Sequence, residues 1–372
     1  MTRLMIRPRF ARLARGALAI LLLGSLAAPT VAGPSPAIVV VPVPDGGEAP
    51  DAAVDTRGRI HLVYVKGEDA YYVVSIDKGK TFNRPLRINS ERATVHPAEM
   101  FRGPVVAIGK DDQVHVVWWV NAYQRQRPKS EWGVYYSQLN PSRDAFLPGR
   151  NINGQPSDNY SIAADRDGYV AVIWTSGTTL SVNLSRDGGR TFGAPVVATP
   201  KVDPCECCAT RALFGPDHRL YAIYRDKAGH MRDMFLLRLD KGAEMFVRSP
   251  LSVTPWHLNA CPMAGASFGF WGDKGLVAAW ERDGKIYFAR VDFTGRLMAP
   301  GEIEVPSEGK YPVVLAGPGG ATLVASRHGT GLSWQMYDAA GRSEGNPGSA
   351  PGTSRVRAAG VVTGDGTFIL FP

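Results

Sequence analysis

Residues 161–174 read SIAADRDGYVAVIW. A few small apolar residues lead into an Asp/Gly turn, and an alternating stretch follows that ends on an aromatic. Period-two alternation marks a half-buried strand. Asp and Gly supply the side-chain caps and the positive φ that a tight turn needs. The segment is therefore a hairpin, and it recurs. AAVDTRGRIHLVY starts at Ala52, PVVAIGKDDQVHVVW at Pro104, ATRALFGPDHRLYAIY at Ala209, AGASFGFWGDKGLVAAW at Ala264, PVVLAGPGGATLVAS at Pro312 and RAAGVVTGDGTFILF at Arg357. The starts lie 52, 57, 48, 55, 48 and 45 residues apart. Five of the second strands end on Tyr64, Trp118, Trp174, Tyr224 and Trp280. Helical periodicity is nearly absent.

A unit of roughly 45–50 residues with four short strands matches a propeller blade. One such unit cannot bury both faces of its sheet, so the units must close into a ring. The chain ends on a two-strand unit, and AIVVVPV, from Ala37, is a strand without a unit of its own. That strand is expected to pair into the last blade and lock the ring, giving an all-β propeller of seven four-stranded blades. Six blades is the alternative, if the terminal strands only complete the blade begun at Pro312. In that case GRSEGNPGSAPGTS, from Gly341, is a loop, because its Gly and Pro cannot build a central strand.

The first 32 residues read as a secretory signal, leaving residues 33–372 as a single propeller domain. MTRLMIRPRFARLARG holds five arginines and no acid, ALAILLLGSLAA is a short apolar run, and small residues precede Gly33. An uncleaved anchor is the alternative. No cysteine is placed to take a lipid. The net charge of +8 falls to +3 once the five leader arginines are subtracted. With no basic run interleaved with aromatics, nucleic acid is not an expected partner. Composition points to an exported periplasmic or extracellular monomer with no membrane span after signal removal. Its expected ligand is a small molecule, a glycan or a protein.

Two segments in register carry a sharper signal. SIDKGKTF, 75–82, and SRDGGRTF, 185–192, share Ser-x-Asp-x-Gly-x-Thr-Phe. The shared residues are Ser75, Asp77, Gly79, Thr81 and Phe82, and Ser185, Asp187, Gly189, Thr191 and Phe192. This pattern resembles the Asp-box, or BNR repeat, of the sialidase superfamily. LDKGAEMF, from Leu239, is a degraded third copy. The Asp-box is structural in that family. The resemblance implies an exo-alpha-sialidase-like propeller, and that activity would need three arginines for the substrate carboxylate, a Tyr–Glu nucleophile pair and an Asp acid/base. FRGP, 101–104, is similar to the family's Phe/Tyr-Arg-Ile-Pro motif, which would make Arg102 one of the three arginines. Gly103 departs from the motif's Ile, and FRGP precedes the second unit rather than the first. The remaining arginines and the Tyr–Glu pair match no motif.

Strands in a blade alternate direction. Loops leading into each first strand therefore share one face of the ring with the loops between strands two and three. On that lead-in face the sequence collects Arg102, Tyr123, Arg125, Tyr160, Arg211, Arg225, Asp226, His230, Arg232, His257, Arg282 and His328. Arg225, Asp226, Arg232, His257 and Arg211 are the candidate ligand-binding residues, with the arginines suited to a carboxylate or sulfate.

All four cysteines fall on the same face. Cys205, Cys207 and Cys208 precede the fourth unit, and Cys261 precedes the fifth. An even count in an exported chain favours disulfides, with three pairings open. Zinc or Cu(I) held by thiolates, with His257 or nearby methionines, is a second reading. A reactive thiol is a third. Three functions follow: a binding propeller without glycosidase activity, a sialidase-type glycoside hydrolase, and a cysteine-based metal or redox protein.

Overall fold

The computed structural model describes Met1 and residues 36–96, 102–120, 128–198, 202–352 and 356–372. The leader reading lies outside these residues, as do Phe101, Tyr123 and Arg125. Seven sheets are formed. Their innermost strands are Glu48–Val54, Val105–Ile108, Tyr160–Ala164, Arg211–Phe214, Ala266–Phe270, Lys310–Ala316 and Ala359–Val362, one for each recurring hairpin. Blades one to six have four strands each, in sequence order from the inside outward. The seventh has three: Ala359–Val362, Phe368–Phe371 and the N-terminal Ile38–Val40. Seven blades is therefore the count. Among the described residues no helix is long and apolar enough to cross a membrane.

The ring closes as expected, with the N-terminal strand in the last blade. It runs parallel to Phe368–Phe371, with Val39 beside Ile369. Packing closes the ring as well. Seven apolar clusters each span one junction between neighbouring blades. The cluster of Ile60, Leu62 and Tyr64 with Val361, Ile369 and Phe371 joins blade one to blade seven. Because both faces of a blade are covered, second strands such as IHLVYVK, Ile60–Lys66, are buried almost throughout.

The loop reading of the segment from Gly341, tied to the six-blade alternative, is corrected. Ser343–Ala350 is the outer strand of blade six, paired only to Gly331–Tyr337. A strand bonded on one side tolerates Gly and Pro.

Each first hairpin closes with the same bond, from the amide four residues before its acceptor. Asp55 N donates to Arg59 O, Asp165 N to Tyr169 O and Thr363 N to Thr367 O, and the other four blades repeat it. The two Ser-x-Asp-x-Gly-x-Thr-Phe segments join strands three and four of blades one and three. In each, the Gly amide donates to the Ser hydroxyl, Gly79 to Ser75 at 2.8 Å and Gly189 to Ser185 at 2.9 Å. The Asp carboxylate accepts from the Thr amide at 2.9 Å and the Thr hydroxyl at 2.6 Å in both. The closing Phe then packs on the preceding blade, Phe82 on Phe371 and Phe192 on Tyr136.

Around the axis, alternate inner strands reach sideways with a side chain. Asp51 accepts from Val106 N at 2.9 Å, Ser161 from Ala212 N at 3.1 Å and Ser267 from Val314 N at 3.2 Å. The inner strands surround a channel of about 470 Å³.

Candidate functional site at the mouth of the channel

The lead-in end of the channel is charged. Arg211 opens the inner strand of blade four, and its guanidinium lies 3.5 Å from Asp51 of blade one. Arg357 lies two residues before the inner strand of blade seven. It is buried, with Nε donating to Pro50 O at 3.1 Å and Nη2 to Pro104 O at 2.6 Å. Burial lowers its pKa to about 10, the nearby Arg211 adds to the shift, and Asp51 opposes it. It remains a cation at neutral pH. The Arg102 guanidinium sits over Trp119, 4.7 Å from the ring centre, with Nη2 3.8 Å from Asp158. Its buried Nε has no hydrogen-bond partner among the described residues. Tyr160 donates to Gly103 O at 2.9 Å, fixing the backbone beside Arg102.

Arg102, Arg211 and Arg357 border one small void of about 10 Å³ with Asn159, Tyr160 and Thr210, about the space of one water. Arg211 and Arg357 also line the channel itself, with Asp51 and Tyr311. Beyond this polar rim the wall turns apolar, with Ile108, Leu213, Phe268 and Leu315. Burial raises the pKa of the Tyr311 phenol, and Cys208 and Glu281 add to it. The phenol therefore stands within electrostatic reach of the cysteine loop. Sequence reasoning singled out Arg102, Arg211 and Tyr160 but missed Asp51, Tyr311 and Arg357. Arg357 left one signal: like Arg102, it lies two or three residues before an inner strand.

The other predicted ligand residues lie elsewhere, with their charge turned inward. Arg225 is 2% exposed and donates to Arg232 O at 2.6 Å and Glu281 O at 2.5 Å. Its guanidinium also covers Trp256. Arg232 donates to Ala260 O at 3.1 Å and Met231 O at 2.8 Å. Asp226 pairs with Arg248 and accepts from Ala228 N. These are the bonds of a folded loop. Arg282 pairs with Glu302 at 2.6 Å. His257 and His328 are exposed, and His257 bridges Met231 through backbone.

The cysteines are brought together. Pro204 pairs with Asp226, and Cys205 N donates to Arg225 O at 2.7 Å, so the loop is laid along the end of its own blade's second strand. Cys208 N returns to Cys205 O at 3.1 Å, closing a turn. Cys207 forms a disulfide with Cys261 and so staples blades four and five. Cys205 and Cys208 are free and buried, their sulfurs 3.0 Å apart. Cys205 Sγ is 3.6 Å from Cys207 Sγ. The sulfurs of Cys205, Cys207 and Cys261 are close enough to share a soft metal ion. The disulfide, however, removes two thiolates from that donor set, so zinc or Cu(I) fits only the reduced form.

No protein-family model matches the chain, and no curated protein does. Several solved structures resemble it in fold. A PL25 ulvan lyase, solved bound to -[GlcA(1-4)Rha3S]-, is 11% identical with a TM-score of 0.55, over 85% of this chain and 87% of the lyase. A protein from Lactobacillus plantarum is 13% identical with a TM-score of 0.51, over 86% of each chain. NanB sialidase from Streptococcus pneumoniae is 10% identical with a TM-score of 0.49, over 75% of this chain. The aligned part spans 64% of NanB, less than two thirds of its length. At such identities the likeness is one of fold.

Proposed function

We propose that this chain is an exported, sialidase-like propeller that binds an anionic ligand at the lead-in mouth of its channel without hydrolysing it. The supporting observation is the gathering of Arg102, Arg211 and Arg357 beside two carboxylates, Asp51 and Asp158. Three guanidinium groups against two carboxylates leave a net positive charge that favours a carboxylate or sulfate. A sugar acid or a sulfated sugar fits: its anion meets the arginines and its ring meets the apolar wall. The two Ser-x-Asp-x-Gly-x-Thr-Phe turns serve as Asp-boxes on the opposite face and only brace blades. The leader directs export, and the disulfide suits an oxidising compartment.

The Glu281 carboxylate is ill placed for hydrolysis. Glu281 influences Tyr311, but it is 3% exposed and its Oε1 accepts from Gly284 N at 2.8 Å. Its Oε2 is buried without a hydrogen-bond partner among the described residues, and Glu281 is not among the residues that line the channel.

Titration calorimetry of the mature protein with N-acetylneuraminate, glucuronate and sulfated monosaccharides, at low salt, tests the reading. At least one should bind, and Arg211→Ala should weaken it by about tenfold or more, as loss of a charge-assisted contact implies. Binding that ignores Arg211→Ala and Arg102→Ala alike would sink the proposal. Release of 4-methylumbelliferone from its sialic-acid conjugate, lost in Arg102→Ala, would establish the hydrolase instead.

A further inference from the structure

The sulfur cluster has an inside and an outside. Cys205 and Cys208 are 5% and 2% exposed, while Cys261 is exposed and Cys207 is half-buried. The outer pair is joined and the inner pair is reduced. Cys205 touches both, 3.0 Å from Cys208 Sγ and 3.6 Å from Cys207 Sγ. No cysteine is isolated, and no chain movement is needed to bring a thiol against the disulfide. A staple with only a structural role would need neither the inner pair nor this contact.

We propose that the four cysteines form a thiol–disulfide relay, in which Cys205 carries an electron pair from the buried Cys205/Cys208 dithiol to the exposed Cys207–Cys261 disulfide. In the first step Cys205 Sγ attacks Cys207 Sγ while its proton passes to Cys208. The Cys205–Cys207 bond forms, the Cys207–Cys261 bond breaks, and Cys261 leaves as a thiolate. In the second step Cys208 Sγ attacks Cys205 Sγ. The Cys205–Cys208 bond forms, Cys207 leaves, and the proton held by Cys208 goes to Cys207. One disulfide, one thiol and one thiolate are present before and after, so no external oxidant or reductant is consumed. The outer pair, now reduced and exposed, is available to a disulfide-bearing partner.

The surroundings decide which sulfur of the inner pair holds the proton. Burial pushes the Cys208 thiol up, but the hydrogen bond from Cys205 and the charge of Arg225 outweigh it and lower its pKa. That same bond raises the pKa of Cys205, and burial adds to it. The proton shared by the pair therefore rests on Cys205, and it crosses the 3.0 Å contact to Cys208 as Cys205 Sγ gives its electron pair to the new bond with Cys207 and becomes acidic. The Nε of Arg225, buried beside this pair, has no hydrogen-bond partner among the described residues, so its charge is not fully neutralised there. Attack by a thiolate, or by a thiol losing its proton to one, is the chemistry of disulfide exchange.

The relay goes beyond the anion-binding reading and stands or falls separately. The mature protein is brought to one disulfide per chain with limiting dithiothreitol, held at pH 8, quenched in acid and alkylated with N-ethylmaleimide. Cleavage after Glu206 separates Cys205 from Cys207 and Cys208, and mass spectrometry then assigns the bridge. Wild type should yield two isomers, Cys207–Cys261 and Cys205–Cys208, each with the other pair alkylated. Cys208→Ser should convert the second isomer to Cys205–Cys207, with Cys261 alkylated. Cys205→Ser should leave only Cys207–Cys261. A single Cys207–Cys261 isomer in wild type at every quench time overturns the relay. So does one stoichiometric metal ion with all four thiols alkylatable. The wild-type time course needs no variant to fold, and far-UV circular dichroism checks the two that are used.

Discussion

The two turns that brace blades one and three hold three glycines with nearly the same backbone, and a methyl group distinguishes them. Gly188, Gly189 and Gly79 have φ of 73°, 79° and 81°. Replacing any of them with Ala costs about 1 kcal/mol for the left-handed conformation, after allowing for the stiffer unfolded chain. What the new methyl group meets then decides the rest. At Gly188 nothing lies within 4 Å. At Gly79 the methyl would meet Val41 Cγ2 at 3.1 Å, where a few tenths of an ångström of movement suffice. At Gly189 it would fall 1.8 Å from the hydroxyl oxygen of Tyr136. That hydroxyl contacts the buried His115 Nδ1 at 2.8 Å and donates to Gln138 at 3.2 Å. Moving it strips a buried imidazole of its partner, which adds about 2 kcal/mol. Urea unfolding should therefore rank Gly188→Ala mildest at about 1 kcal/mol and Gly189→Ala worst at about 3 kcal/mol, with Gly79→Ala between. In a thermal scan the extremes should differ by about 3 °C at this size. Equal losses at Gly188 and Gly189 would refute the reasoning, because φ alone would then explain both. A neutral Gly189→Ala would mean that the turn does not pack on Tyr136 at all.

Burial lowers the pKa of His115 to about 4, so the folded protein resists protonating a side chain that the unfolded chain protonates near 6.5. Its contribution is full above about pH 6.5 and is lost as pH falls toward 4, a loss of about 3 kcal/mol by linkage. Urea midpoints between pH 7 and 4 should track it, and His115→Gln should flatten that slope. If wild type and variant share one pH profile, the buried-imidazole account is wrong. Arg357→Met leaves Pro50 O and Pro104 O without their buried donor and cuts a tie from blade seven to blades one and two. A loss of about 2–4 kcal/mol is expected in urea unfolding, and a change within error would show that the tie contributes nothing.

The ring was legible because its defining elements are the most heavily buried. Second strands are covered on both faces, so Val63, Val117, Ile173 and their counterparts must recur whatever the loops do. Outer strands lack that constraint. Leu86–Arg87, Arg150–Asn151 and Val196–Val197 are two-residue pairings at the rim, and Ser343–Ala350 carries Gly and Pro because one side of it is unpaired. The channel mouth was half legible for a different reason. Arg211 meets Asp51 across the ring, and Arg357 meets Pro50 although 307 residues separate them. Such contacts depend on closure, and no local pattern encodes them. The cysteines fall between these cases. The repeat was enough to bring Cys261 to the loop of Cys205, Cys207 and Cys208. The choice of Cys207 as its partner depends on the turn that points Cys205 and Cys208 inward.

That turn also separates the two chemistries of the lead-in face. The arginine mouth is tied by blades seven, one, two and three, through Arg357 to Pro50 and Pro104 and through Tyr160 to Gly103. The sulfur cluster is tied by blades four and five. Ala209, which follows Cys208, is the meeting point: it lines both the channel and the small void among the arginines, and its amide donates to Ala264 O at 3.2 Å beside the Cys261 loop. Exchange among Cys205, Cys207 and Cys208 must alter the turn that ends at Ala209. Glu206, between Cys205 and Cys207, is a second link: its carbonyl accepts from Asn159 of blade three, which borders the same void. A change of disulfide should therefore move the walls of the mouth at Ala209, Arg211 and Asn159, while Arg357, held by Pro50 and Pro104, keeps its place.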